Sequence, residues 1–291
     1  MPYLLPNLLY KSYEQWLINT IKKASLPSHI AIIMDGNRRF AKKMGKMTAY
    51  GHRRGAEITE NVIEWSYEIG IRELTMYAFS TENFNRRKSE TCSIFELIRV
   101  KLEKLSTDER THRRKLKVRV IGDRSQLPED LLAAVRKIEK ITSGYNEFTL
   151  NIAIAYGGRQ DMVQAVRKIA RKVRKGKFVP SEINETTISQ HLYPEKDAPV
   201  SDVDLIIRTG GDERMSNFLP WQASGNECAT YFCAPYWPDF RRVDFLRSVR
   251  LYQQHAAEKE KSFSERAYHL LKETGNKEIS PKHTAVSVLH E

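Results

Sequence analysis

Cysteine is scarce in this chain, and the little there is forms no pattern. Cys92, Cys228 and Cys233 are the whole complement. The count is odd and the spacing fits no metal motif, which excludes a disulfide framework and a paired-cysteine zinc site. With no signal peptide, the expectation is a reducing, cytoplasmic setting with buried thiols. Long apolar runs are missing too, and none approaches the ~20 residues that span a bilayer. There is no GxxxxGK[ST] and no GxGxxG after a strand, so nucleotide hydrolysis on a P-loop and a dinucleotide fingerprint are excluded. With neither an RNA-binding motif nor an aromatic platform, no nucleic-acid partner is expected. There are no internal repeats. Acidic residues are in deficit, 36 Asp and Glu against 48 Lys and Arg, giving a net charge of +12. A surplus of that size points to anionic partners such as acidic lipid or phosphorylated metabolites.

What is present is an alternation. Near-continuous apolar runs at 29–34, 73–80, 117–121, 148–155, 205–208 and 230–233 predict strands covered on both faces. Helical patterns separate them at 51–69, 88–112, 128–143, 161–173 and 187–192, with Gly70 as a stop and Pro128 near a start. Strand and helix in turn predict a largely parallel sheet in one α/β domain, since no break in composition divides the 291 residues. The domain is expected to span 26–256. Residues 1–25 form an amphipathic extension, with Leu9, Tyr13, Trp16, Leu17 and Ile21 at helical spacing beside Lys11, Lys22 and Lys23. It either contacts a membrane surface peripherally or docks on the body of the protein. Residues 257–291 form a charged C-terminal segment whose last part is expected to be loosely ordered.

In parallel sheets, ligands sit outside the carboxyl ends of the strands. Asp35, Ser80, Tyr156 and Arg208 stand at those ends, which places them along one expected cleft. The first end, AIIMDGNRRFAKK, finishes an apolar run on Asp35 and follows it with Gly36, Asn37, Arg38 and Arg39. One reading is a helix N-cap, a position that favours Asp. The other is a diphosphate cradle in which Gly36 admits close backbone approach, the helix start offers free N–H groups, and Arg38 and Arg39 add charge. A carboxylate would repel phosphate there unless Mg2+ lies between them, and Mg2+ takes one or two carboxylates and completes its shell with phosphate and water. The second end carries Ser80, Glu82, Asn83, Phe84, Asn85 and Arg86. The fifth carries Arg208, Gly210, Gly211, Arg214 and Ser216, a set suited to a second phosphate group. His52, in AYGHRRGAE, is either a structural donor or a phosphate donor or proton carrier facing the same cleft.

The segments HIAIIMDGNRRFAKK, GHRRGAE, LTMYAFSTENFNR, LNIAIAYGGRQDMVQA, DLIIRTGGDERMSNFLPWQ and WPDF resemble, in order and spacing, the sequence regions of the cis-prenyltransferases, the undecaprenyl or dehydrodolichyl diphosphate synthases. The likeness runs from about His29 to Phe245. It implies a six-stranded, mostly parallel sheet with helices on both faces and an apolar tunnel. It also implies a homodimer and Mg2+-dependent head-to-tail condensation of isopentenyl diphosphate with an allylic diphosphate. The product would be a medium- or long-chain cis-polyprenyl diphosphate, a lipid glycan carrier precursor. Transfer to a non-diphosphate acceptor, or a role as one subunit of a heteromeric enzyme, are the alternatives. By the resemblance Asp35 is the catalytic and metal-binding aspartate and Glu227 a second metal-associated carboxylate. Gly36, Asn37, Arg38, Arg39, Phe40 and His52 hold the allylic diphosphate. Asn83, with Ser80, Thr81 and Glu82, belongs to the segment that takes the proton, with Arg86 as its phosphate contact and Phe84, also on the substrate, where the family often has Trp. Arg208, Arg214, Met215 and Ser216 hold isopentenyl diphosphate. Ile94, Phe95, Leu97, Ile98, Leu102 and Leu105 offer part of the tunnel lining, and Ala78 borders its mouth.

The trans-acting counterparts of the family carry DDxxD motifs, and none occurs here. Three departures stand out. Arg38 replaces the Gly common in bacterial members, and Thr48 replaces a substrate-contacting Arg. Ser262-Phe263-Ser264 stands where many members carry Arg-x-Gly, so that either the nearby Lys259, Lys261 or Arg266 substitutes or the motif is borrowed from a different partner subunit.

Overall fold

The computed structural model describes residues 4–194, 198–223 and 228–273. Helix α1 (Leu4–Ile21) leads into strand β1 (His29–Ile33), which is followed by α2 (Asn37–Lys43) and α3 (Thr48–Ile69). Then come β2 (Glu73–Ser80), a 3-10 turn over Thr81–Asn85, α4 (Lys88–Thr107), α5 (Glu109–Arg113) and β3 (Leu116–Ile121). The chain continues through α6 (Glu129–Thr142), β4 (Phe148–Tyr156), α7 (Gly158–Arg174) and α8 (Glu185–Ser189) to β5 (Leu205–Arg208), β6 (Ala229–Phe232) and α9 (Arg242–Glu273). The helix expected over 88–112 is broken at Asp108. Its side chain caps α5 by accepting from the Arg110 amide at 2.9 Å. The charged segment from residue 257 onward continues α9 as far as Glu273.

The six strands form one sheet in the order β3-β4-β2-β1-β5-β6, and every described pairing is parallel. Successive side chains of a strand point to opposite faces, so the apolar runs feed two cores. Ile30 and Ile32 join a large cluster with Leu74, Met76 and residues of α3, α4, α6 and α9. Ala31 and Ile33 join a smaller cluster with Phe218, Leu219, Val200 and Val203. Helix α1 docks on α9, burying Leu17 and Ile21 completely, while Leu9 and Trp16 stay 70% and 48% exposed. Of the thiols expected to be buried, Cys233 is buried, Cys228 is half-buried and Cys92 is exposed. No described helix is long and apolar enough to cross a membrane.

At the amino end of the sheet a polar network replaces apolar packing on the smaller-cluster face. Glu73 accepts from Arg119 at 2.8 Å, from Asn151 at 2.6 Å and from Ser201 at 2.6 Å. Thr75 bridges Asn151 and His29, and His29 in turn meets the Ser201 carbonyl at 3.0 Å. These groups tie four strands to the 198–204 segment that leads into β5. Removing one partner of a buried ion pair strands the other charge, at a cost of about 3–5 kcal/mol. Glu73→Ala is therefore expected to lower the urea midpoint by that equivalent, leaving Arg119 without its counter-charge. A loss within the error of the unfolding measurement would show that the network adds nothing to stability.

Candidate active site

The end of β1 is shaped by what it must fit beneath. Gly36 has φ of +107°, and a Cβ there would fall 2.7 Å from the Tyr236 ring. Only glycine accepts both the conformation and the approach. Gly36, not Asp35, holds the N-cap position of α2, so the capping reading of Asp35 does not apply. The Asp35 carbonyl is fixed by the Trp237 amide at 2.9 Å and the Thr209 hydroxyl at 2.8 Å. Its carboxylate receives Arg208 Nη2 at 2.8 Å and Arg39 Nη2 at 3.2 Å. Burial pushes this carboxyl upward, but the hydrogen bond from Arg208 and the charge of Arg39 outweigh it and hold the pKa below its ordinary value. Asp35 is thus an ionised carboxylate in a basic corner.

The end of β5 supplies the other side of that corner. Arg208 is 3% exposed. Its Nη1 donates to the Arg214 carbonyl at 2.5 Å and to Ser216 Oγ at 2.8 Å, which folds the following loop back over the strand end. Gly210 and Gly211 lie in left-handed backbone that permits this reversal. The loop carries Asp212, whose Oδ2 lies 3.4 Å from Arg39, 3.5 Å from Arg208 and 3.5 Å from Arg214.

The end of β2 forms the opposite wall. Asn83 Oδ1 accepts from the Ser80 amide at 3.2 Å and closes the 3-10 turn. Asn217 ties this turn to its neighbours. It donates to Glu82 Oε1 at 3.1 Å and to Gln160 at 2.9 Å, and it accepts from the Arg159 amide at 2.9 Å. Burial alone raises the Glu82 carboxyl, while hydrogen bonds from its own backbone, Ser80 and Asn217 bring it below the usual value. His52 and Arg86 converge on Glu90 at 3.1 and 3.3 Å. Burial holds the His52 pKa down against the pull of Glu90.

A cleft of about 650 Å³ joins these parts. It brings together Asp35, Gly36, Asn37, Arg38 and Arg39 from the β1 end, His52 from α3, Ser80, Glu82, Asn83 and Arg86 from the β2 end, and Arg208, Arg214 and Ser216 from the β5 end. Several expected residues stand elsewhere. Phe40 is buried and stacks on Tyr50 at 6.1 Å, and Phe84 packs edge-on to Phe79 at 4.9 Å. Thr81 lines a separate cleft, and Met215 packs on the smaller core. Tyr156 is a core residue whose carbonyl accepts the Tyr77 hydroxyl at 3.1 Å. Glu227 lies outside the described residues. Asp212, Asn217 and Glu90 were not singled out from the sequence. The signal for Asp212 was an acid planted between two glycines and Arg214.

Beside the cleft lies an apolar cavity of about 160 Å³, between α3, α4 and the sheet, and the two share Met34, Asn37, His52, Ala78 and Ile94. Ile94, Leu97, Ile98, Leu102 and Leu105 line it, whereas Phe95 turns to Phe79 at 4.8 Å and belongs to the core. No group of three or more His, Cys, Asp or Glu gathers as a metal cage among the described residues. One ionised carboxylate facing a basic cleft fits a hard cation that completes its shell with phosphate oxygens and water. It does not fit zinc, which asks for four nitrogen, sulfur or oxygen ligands.

Residues 33–260 match the family model described as "Putative undecaprenyl diphosphate synthase". A Methanosarcina mazei protein named tritrans,polycis-undecaprenyl-diphosphate synthase (geranylgeranyl-diphosphate specific) is 57% identical over 260 residues, covering 89% of this chain and 87% of the relative. A protein of the same name from Archaeoglobus fulgidus is 49% identical, covering 84% and 96%. The crystal structure of lavandulyl diphosphate synthase from Lavandula x intermedia in complex with dimethylallyl diphosphate superposes with a TM-score of 0.73 at 35% identity, covering 78% of this chain and 95% of that one.

Asp212 occupies, as a single carboxylate, the space where three guanidinium groups converge. Removing its charge leaves more positive potential for an incoming anion. Asp212→Asn is expected to tighten binding of inorganic diphosphate about tenfold, a fraction of the ~4 kcal/mol that one charge pair is worth at 4 Å near a protein surface. Calorimetry without added metal reads this directly. Weaker binding would mean that Asp212 builds the site, whereas tighter binding means that it competes for it.

Proposed function

The chain belongs to the undecaprenyl diphosphate synthase family of cis-prenyltransferases, and on that premise we propose that it extends an allylic diphosphate with successive isopentenyl diphosphate units, making a cis-polyprenyl diphosphate. The observation that carries this reading is the junction of a basic cleft, centred on ionised Asp35 between Arg39 and Arg208, with an apolar cavity. A prenyl diphosphate has the same division, with a doubly charged head and a hydrocarbon tail.

The allylic diphosphate lies over the start of α2, where Gly36, Asn37, Arg38 and Arg39 present backbone N–H groups and charge. Its hydrocarbon enters past Ala78. Asp35 would hold Mg2+, which would supply charge neutralisation for the departing diphosphate. Arg39 supports the same developing charge through fixed donors. Isopentenyl diphosphate is held by Arg214 and Ser216, which buried Arg208 positions through the Arg214 carbonyl and Ser216 Oγ, so that its double bond faces the allylic carbon. As the new bond forms, the proton leaves toward the Ser80–Asn83 turn. Asn83 and ionised Glu82 present acceptor oxygens there, in the position that Asn217 fixes. His52, kept neutral by burial, gives its one N–H to Glu90 and reaches phosphate only by exchanging that acceptor. The two near relatives are named as specific for geranylgeranyl diphosphate, and we take the same primer for this chain. Ser262, Phe263 and Ser264 lie on α9, with Arg266 folded back onto Ser262 Oγ at 3.0 Å. In the homodimer that we expect, Lys259, Lys261 or Arg266 takes the place of the family's Arg-x-Gly arginine. Leu9 and Trp16, two helical turns apart on α1, form the surface for a peripheral membrane contact.

The test is incubation of the purified chain with labelled isopentenyl diphosphate, Mg2+ and allylic primers of two, three and four isoprene units. Elongation from the longest primer is expected, and failure to extend any of them overturns the reading. Asp35→Ala should lower turnover at least ~10²-fold, the scale of losing a charge-stabilising group in a transition state. Arg214→Ala should raise KM for isopentenyl diphosphate more than for the primer, since its guanidinium meets Asp212 and not Asp35 and is free to turn to a phosphate on that side. Equal weakening of the two substrates would mean that their places have been exchanged.

A further inference from the structure

The apolar cavity is far too small for the product. A cavity of about 150 Å³ takes a single benzene ring, and this one measures about 160 Å³. A primer of four isoprene units has a tail several times longer than that, and each condensation adds another unit. Either a wall moves or the chain leaves at the far end.

The walls differ in what moving them would cost. At the near end the cavity shares residues with the cleft. Along the sheet it is bounded by Met76, Phe148 and Leu150, each 1% exposed and part of the main core. Separating these would open voids in close-packed apolar side chains. The far end is different. Glu60 and Glu64, one turn apart on α3, face the cations of α4 and of the α5 region. Glu60 holds Lys101 at 2.5 Å and Lys104 at 2.7 Å. Glu64 holds Arg110 at 3.0 Å and Arg114 at 2.6 Å, and Asp108 also binds Arg110, at 2.6 Å. All six of these α3 and partner residues line the cavity, and their side chains are between 19% and 53% exposed. Such pairs contribute little to stability, because water takes back each partner when they part. The apolar stems of Lys and Arg can border a hydrocarbon while their heads stay in water.

We propose that this double clasp, Glu60 to Lys101 and Lys104 and Glu64 to Arg110 and Arg114, is the gate through which the growing chain leaves the cavity, and that its strength sets product length. The proposal rests on the reading of the cavity as the hydrocarbon site. A short tail lies behind the closed clasp. A longer one presses it open, and the pairs re-form when the product departs. Product length is then set by how readily the clasp parts and not by the closed volume.

Two variants test this in opposite directions. Glu60→Gln/Glu64→Gln removes the clasp charges and is expected to shift the product distribution upward by at least one isoprene unit. Glu60→Leu/Lys101→Leu replaces one pair by an apolar seal that water does not help to open, and is expected to shift it downward. Circular dichroism melting checks that each folds. Ala78→Leu, at the near mouth, is the control for the cavity itself and is expected to shorten the product. If Ala78→Leu shortens the product and neither clasp variant moves it, the gate is wrong and the cavity stands. If none of the three moves it, the hydrocarbon does not use this cavity and both ideas fall.

Discussion

The site is organised by one ion pair, between Arg208 and Asp35. A guanidinium that is 3% exposed has to be matched by a counter-charge and by acceptors for its N–H groups. Asp35 supplies the charge, and Ser216 and the Arg214 carbonyl supply the acceptors. Each of these bonds also fixes something else. The first joins the ends of two strands. The second and third pull the loop after β5 back over the sheet, which brings Arg214 and Asp212 to the cleft. Arg39 then shares Asp35 from the start of α2. The pair is retained for what it positions, since a buried pair by itself is weak evidence for stability.

The sheet order makes that pair possible. Strand β1 lies between β2 and β5, which are far apart in sequence, and Ile33 is in register with Arg208. From β1 the chain turns to one side for β2 and returns to the other side for β5, so the connections diverge and leave a crevice at their carboxyl ends. Asp35 and the β5 loop meet in that crevice. The network of Glu73, Arg119, Asn151 and His29 stands at the other end of the same strands, where no ligand has to enter. One end of the sheet spends its polar groups on holding strands together. The other leaves them with spare capacity facing the cleft.

The strands were legible because parallel strands buried on both faces read as unbroken apolar runs, and β2 and β5 have the bounds that the pattern gives. Helix ends were less so, since a cap such as Asp108 is indistinguishable in sequence from any exposed acid. The cleft residues adjacent to strand ends were legible as types: Asp35, Ser80 and Arg208 had to lie at one edge of the sheet. Tyr156 was misplaced for the same reason, because its position at a strand end was right and its direction was not. Asn217 and Glu90 were missed because their importance lies in partners distant along the chain, 135 residues away for Glu82 and 38 for His52. The clasp was out of reach because Glu60 and Glu64 read as an ordinary solvated helix face until α4 and α5 are placed against them.

The junction between charged head and apolar tail depends on a small irregularity in β2. Pairing with β4 slips between Tyr77 and Phe79 and again between Phe79 and Ser80. In a regular strand Tyr77 and Phe79 would share a face and Ala78 would take the other. Here Tyr77 belongs to the smaller core, stacked on Phe218 at 4.4 Å, while Ala78 and Phe79 both pack on the side of the larger one. A bulge of this kind re-aims side chains beside a site. Its effect is to place the smallest residue of the strand at the passage from cleft to cavity and to anchor the two aromatic rings away from it. Phe79 then supports Phe84 and Phe95 at 4.9 and 4.8 Å, which holds the Thr81–Asn85 turn and α4 against the sheet. The same bulge therefore opens the passage and fixes the wall that carries Asn83 and Glu82.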